Sequence, residues 1–190
     1  MSSMPDAGSR LVTVEAFLNR DDPDDLRCEL LQGRVVAMAP PSPLHGKLVA
    51  RLAVVLQRQL QAPCAVVVEA GIRVQEPADT FFQADLAVSC TPFGREARFL
   101  PDPVVIVEVL SPASQSHDRG NKVAGYRFLP SVREILLLSS TAWHVEWWHR
   151  TVEGWLVMDW IGRDIRLLLE SIGTGFTLAE IYQDMALEIG

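Results

Sequence analysis

The stretch Val104–Leu110 reads VVIVEVL, an apolar run broken by a single acid, Glu108. A strand with one face in water alternates apolar and polar residues, and this one does not. It reads instead as a strand buried on both faces. CAVVVEAGIRVQ (64–75) and FFQADLAVSC (81–90) share its character: they are rich in Val, Ile and Phe and are bounded by Gly, Pro and Asp.

Helices supply the covering layers. In LHGKLVARLAVVLQRQL, leucines at 44, 48, 52, 56 and 60 recur every fourth residue, which predicts an amphipathic helix. Ser42 suits its cap, Pro43 its first position, and Pro63 ends it. HDRGNKVAGYRFL (117–129) predicts a second helix that stops before Pro130, with His117 and Asp118 at its cap. VTVEAFLNR starts a short helix capped by Thr13, and TLAEIYQDMA is a short closing helix. CELLQGRVVAMAP reads as two strands around a Gln32-Gly33 turn. EILLLSS, AWHVEWWHR, GWLVMDWIG and DIRLLLES read as further strands. DDPDD (21–25) is an acidic loop, and TPFGREARFLPDP (91–103) reads as a mobile connection. The expected fold class is α/β, a central mixed β-sheet flanked by helices, in a single domain over 1–190 with residues 1–10 as a flexible tail.

Composition narrows the function. With 190 residues and 48% hydrophobic content, a sizeable core is available and disorder is excluded. The net charge of −7 argues against strong non-specific binding to nucleic acid, although catalytic carboxylates that a metal offsets also add negative charge. Three scattered cysteines without a C-x-x-C pair argue against a disulfide framework or a zinc site and fit a reducing cytoplasm. The N-terminus lacks the apolar core of a signal peptide, and no run of about 18 apolar residues predicts a membrane span.

A carboxylate inside an apolar strand is costly unless it is paired or binds a cation. Glu108 and Asp85 both answer that description, on strands expected to be adjacent. Two such acids suit Mg²⁺, which takes one or two carboxylates plus waters and phosphate oxygens. Lys122 follows on the next helix, with Tyr126 four residues later on the same face. A lysine there can position or deprotonate a water, or offset charge on a pentavalent phosphate. The bland alternatives are an Asp85 that bonds nearby amides, a Glu108–Lys122 salt bridge and a Glu29 engaged in hairpin pairing. His45, in a first helical turn, either contacts a phosphate or pairs locally. The alternation in AWHVEWWHR fits a solvent-facing strand better than a metal site. The five tryptophans fit packing or a dimer contact better than base stacking.

The segments ADL, VVIVEVLSPAS, DRGNKVAGYRFL and VREILLL together resemble the Uma-type restriction endonuclease family of the PD-(D/E)XK superfamily. ELLQGRVVAMAPPSPLHGKLVARL and SIGTGFTLAEIYQ are similar to the family's two ends, so the likeness runs from about residue 13 to 185. It implies a restriction-endonuclease-like core with the active site on adjacent strands. It implies Asp85 and Glu108 as ligands of Mg²⁺ or Mn²⁺, the carbonyl of Val109 or Leu110 as a third oxygen, Glu29 as a supporting acid and Lys122 as the catalytic lysine. It also implies DNA as substrate and a homodimer. Two positions depart from the superfamily pattern: Leu110 stands where a lysine is usual, and Ala84 where a proline precedes the first Asp. Two readings follow: a metal-dependent endonuclease, or a catalytically inactive nuclease-like module that binds protein or nucleic acid.

Overall fold

The computed structural model describes residues 11–20, 27–74, 79–111, 115–185 and 187. The acidic loop at 21–25 and the tail at 1–10 lie outside them. Thr13 caps α1 (Val14–Leu18) as its sequence implies. β1 (Cys28–Leu31) and β2 (Arg34–Ala37) form the expected hairpin, with Gln32 and Gly33 both at positive φ, as a tight turn of this kind requires. α2 (Pro43–Gln57) begins at Ser42, whose hydroxyl accepts from the His45 amide. Its buried face is Leu48, Val49, Leu52 and Leu56. The helix stops before Leu60, but Leu60 still packs against the same core.

β3 (Ala65–Val74), β4 (Thr80–Ser89), β5 (Pro103–Leu110), β6 (Glu134–Ser139), β7 (His144–Arg150) and β8 (Trp155–Ile161) complete an eight-stranded sheet. Its order is β2-β1-β4-β5-β6-β7-β8, with β3 on β4; β5 and β6 are parallel and the other pairs antiparallel. The β5–β6 crossover carries α3 (Gln115–His117), a π-helical turn (Asp118–Lys122) and α4 (Val123–Phe128) in unbroken succession. β9 (Arg166–Leu169) and β10 (Thr174–Thr177) pair separately, and α5 (Leu178–Tyr182) closes the chain behind a Thr177–Glu180 capping box.

The sheet is covered on both faces, as VVIVEVL implies. Val105, Val107 and Val109 join α2 and α5 in one core. Ile106 and Leu110 join Val123 and Tyr126 in the other. Glu108 shares the second face by alternation.

β4 makes the site. β3 occupies one of its edges from Thr80 to Ser89. On the other edge β1 pairs at Leu30↔Phe81, and β5 takes over from Leu86↔Val107. Between these two partners the sheet forks, and the backbone at 82–85 has no strand to bond on that side. Residues two apart share a face in a regular strand, yet Ala84 belongs to one core and Leu86 to the other. The irregularity falls at Asp85, where the β3–β4 register skips Glu69 and Asp85 and Glu69 has φ 53°.

The expectations for the cysteines and for the 91–103 connection fail. Cys64 and Cys90 form a disulfide one position beyond the Ala65↔Ser89 pair. They are 26 residues apart in sequence but meet across the ladder, which spacing alone does not reveal. Disulfides are rare in a reducing cytosol, so cysteine usage no longer supports a cytoplasmic location. The 91–103 connection is anchored: Leu100 is buried and its amide bonds the Gly71 carbonyl, while Ser89 bonds the Pro101 carbonyl. Among the described residues no helix is long and apolar enough to cross a membrane.

Candidate active site

The fork at 82–85 is filled by side chains where a strand would otherwise bond. Glu29 Oε1 accepts from the Gln83 amide at 2.8 Å, and Lys122 Nζ donates to the Gln83 carbonyl at 3.2 Å. Asp85 Oδ2 accepts from the Val109 amide at 2.7 Å. Three acids or bases from three elements thus satisfy backbone groups that would be costly to leave unpaired.

Lys122 is the hub. It is 2% exposed, and its ammonium lies 3.0 Å from Glu29, 3.1 Å from Glu108 and 3.7 Å from Asp118. The π-helical turn sets this geometry. Its wider winding keeps Asp118 and Lys122, four apart, both pointing inward and buried. Neither His117 nor Asp118 caps the helix, contrary to expectation, because the helix already starts at Gln115. His117 instead reaches Glu29 Oε2 at 3.1 Å and is held on its other nitrogen by Asn121 at 3.0 Å. Tyr126, one α-helical turn beyond Lys122, donates its hydroxyl to Glu108 Oε1 and stacks edge-on against Phe82. His45 Nε2 lies 3.0 Å from Asp85 Oδ1.

These contacts settle the ionisation pattern. Burial works against the charge on Glu29, but the His117 bond, the Lys122 charge and the Gln83 amide outweigh it and hold its carboxyl below the usual value. Burial pushes Glu108 well above the usual value, with Asp85 and Asp118 adding to it, and Lys122 and Tyr126 only partly oppose this. Burial by itself disfavours the Lys122 ammonium, but the carboxylates of Glu108, Glu29, Asp118 and Asp85 more than compensate and hold it above its ordinary range.

Asp85, Glu108, Asp118, Lys122 and His45 line one cavity of about 310 Å³, roofed by Met38–Ser42. The structure therefore brings together all four expected side chains, with Glu29 behind Lys122 rather than on the cavity wall. For Val109 the contact seen is its amide on Asp85, not its carbonyl. The charge set fits a cation, since the carboxylates of Glu29, Glu108 and Asp118 lie within 3.7 Å of one ammonium and Asp85 lines the same cavity. Asp85 and Glu108 supply two carboxylates, the number Mg²⁺ commonly takes from a protein. Among the described residues no group of three or more His, Cys, Asp or Glu converges as a metal cage. Sequence reasoning missed the roles of Tyr126, His117 and Asp118. The i, i+4 spacing of Asp118, Lys122 and Tyr126 was the available signal, but the expected cap masked it.

Arg51 pairs with Asp184 and Arg119 with Glu146, while Arg127 lies over Trp148 and Trp155. His144 pairs with Asp159 on β8, so the alternating β7 residues form surface pairs, not a metal site. Trp147 and Trp160 pack on each other, and Trp143 packs on Tyr182.

A family model described as "Uma2: Putative restriction endonuclease" matches residues 14–179. The chain belongs to the Uma2 family. Two uncharacterized proteins of Synechocystis sp. are similar to this Uma2 chain along almost its whole length. One is 29% identical over 96% of this chain and 97% of its own; the other is 22% identical over 85% and 94%. The Uma2 fold matches a crystal structure described as "a putative nuclease belonging to DUF820" from Anabaena variabilis ATCC 29413. The TM-score is 0.73 at 15% identity, covering 90% of this chain and 97% of that one. The restriction-endonuclease-like architecture expected from the sequence is thereby the observed one.

Proposed function

We propose that this chain is a metal-dependent nuclease that hydrolyses phosphodiester bonds of DNA in the cavity between Asp85 and Glu108. The observation that carries the reading is that Asp85, Glu108 and Asp118 line a single cavity with one buried ammonium at the fork of the sheet. Asp85 and Glu108 would hold Mg²⁺ or Mn²⁺, which when bound polarises a phosphodiester oxygen and lowers the pKa of water. The Val109 amide and His45 fix the two oxygens of Asp85. Tyr126 and Lys122 fix those of Glu108.

Lys122 has a more definite part than a lysine read from sequence. Held charged by its carboxylates, it donates hydrogen bonds and offsets negative charge that builds on the phosphate; it does not take a proton from water. Glu29 is the counter-ion that anchors it, itself steadied by His117.

One observation favours the second reading, a nuclease-like module without catalysis: both oxygens of Glu108 are already engaged, by Lys122 and Tyr126. Cleavage of supercoiled plasmid and labelled oligonucleotides with Mg²⁺, Mn²⁺ or EDTA, wild type beside Glu108→Ala, decides between them. The nuclease reading expects cutting that needs metal and vanishes in the variant. Cutting equal in both proteins, or none with either metal, leaves the binding module.

A further inference from the structure

We propose that the DNA taken by this site is an unpaired strand or a frayed end, not an intact duplex. The inference rests on the nuclease reading above. It starts from the charges on the cavity wall and on the elements that build it. Arg27, on the cavity wall, is paired with Glu69 at 3.1 Å. Arg51, on the helix that brings His45, is paired with Asp184 at 3.2 Å, and Lys47 on that helix bonds the Asp184 carbonyl at 3.1 Å. Arg119, next to Asp118, is paired with Glu146 at 3.0 Å. Each of these three guanidinium groups therefore already has a carboxylate of its own.

A duplex makes a different demand. It presents two backbones at high charge density, and proteins that grip it neutralise roughly 6–10 phosphates with Lys and Arg. Among the described residues just named, carboxylates outnumber lysines and arginines, and the whole chain carries −7. A divalent ion between Asp85 and Glu108 would offset the floor of the site and leave little positive charge for a second strand. Shape agrees with charge. The cavity, at about 310 Å³, is at the small end of the roughly 300–1,000 Å³ of ligand clefts. It is walled on one side by the apolar turn Met38–Pro41. It has room for one nucleotide unit bent into it, which a flexible strand supplies at small cost and a stacked duplex does not.

The test uses the full chain with Ca²⁺ for binding and with Mg²⁺ or Mn²⁺ for cutting. Fluorescence anisotropy compares a labelled unpaired oligonucleotide with a blunt duplex of the same sequence over a range of salt. Binding and cutting of the unpaired strand should exceed those of the duplex by about ten-fold or more, and the duplex salt dependence should be shallow. The variant Glu69→Gln, Glu146→Gln, Asp184→Asn removes the partners of three arginines without touching the cavity floor. Its duplex affinity should rise about ten-fold, with the log–log salt slope steeper by about 0.9 for each arginine that gains a phosphate. Duplex bound or cut as well as the unpaired strand by the wild type would overturn the proposal, as would absence of binding to either. So would duplex affinity unchanged in a folded triple variant. Duplex cutting that Glu108→Ala abolishes would overturn it while upholding the nuclease. Selective binding of the unpaired strand without metal-dependent cutting would uphold it and reject the nuclease.

Discussion

Glu108 and Glu134 are both buried glutamates on parallel neighbours, β5 and β6, three register positions apart and on opposite faces of the sheet. Burial pushes both carboxyls upward. Their surroundings differ. Glu108 meets a buried lysine that it shares with Glu29 and Asp118, and lies beside Asp85 and Asp118 on a common cavity. Glu134 meets Ser171 at 2.7 Å and His149 at 3.5 Å, and among the described residues no lysine or arginine is paired with it. The cavity next to it is the larger, about 660 Å³, and is lined by His149 and Ser171 but not by Glu134 itself. Burial of an acid, or the size of a hollow, does not mark a site by itself. Convergence of several charges that cannot all be satisfied by one another does.

The comparison breaks most readily at the cation. Lys122→Met would leave Glu29 and Glu108 buried without their ammonium, and stability should fall by about 3–5 kcal/mol. His149→Leu removes a partly exposed partner from Glu134 and should cost about 1–3 kcal/mol. Urea unfolding at neutral pH measures both. Equal losses would mean that the two glutamates stand in equivalent settings after all.

Cleavage separates them next. Glu108→Gln should reduce metal-dependent cutting on the order of 10²–10³-fold, the scale of losing one group that acts on developing charge. Glu134→Gln, on the opposite face of the sheet, should leave it unchanged. Loss of cutting in both variants, with both folded, would tie activity to the sheet as a whole and not to the fork.

The contrast also explains what could be read in advance. Glu108 stood out because VVIVEVL is apolar around it, and Lys122 followed at a spacing that a crossover helix permits. Alternation and leucine periodicity foretold the two-faced core, since both report which side of a local element is dry. Glu134 opens EILLLSS and looked like an ordinary strand start. Its burial depends on Ser171 and His149, residues 37 and 15 positions away, which no local pattern links. The fork in β4 was illegible for the same reason: it exists because β1 and β5 share one edge, and strand order is not written in any single strand. The Cys64–Cys90 bond is another such case. The π-helical turn was hidden because DRGNK reads as well as a cap as it does as a helix interior.

Stability against pH gives a finer separation, and its sign is fixed. Unfolded, either glutamate titrates near 4.5, and folded, both titrate higher. Between those values the native state keeps a proton that the unfolded chain has lost, so stability falls as pH rises through the interval. Glu29 runs the other way: held below 4.5, it contributes stability above that pH that is lost on acidification through its folded value. Glu108→Gln should therefore flatten the decline that sets in as pH rises above 4.5 in urea melts. Glu134→Gln should flatten it less, because Glu134 is displaced less. A larger effect at Glu134 would reverse the ranking of the two sites.

The smallest effects come from the hydroxyl donors. Tyr126→Phe and Ser171→Ala each remove one O–H that donates to a buried carboxylate, and each should cost about 1 kcal/mol of stability. Tyr126→Phe keeps the ring that packs on Phe82 at 5.4 Å, so the core stays filled. What differs is the consequence. Freed at Oε1, Glu108 is held by Lys122 alone and can turn within the cavity, so cutting should slow more than the loss in stability accounts for, chiefly in kcat. Glu134 orients nothing that reacts, and Ser171→Ala should leave kcat and KM as they were. If Tyr126→Phe also leaves both constants alone, Lys122 suffices to hold Glu108, and the tyrosine serves packing and the buried hydrogen bond without setting the geometry of the reaction.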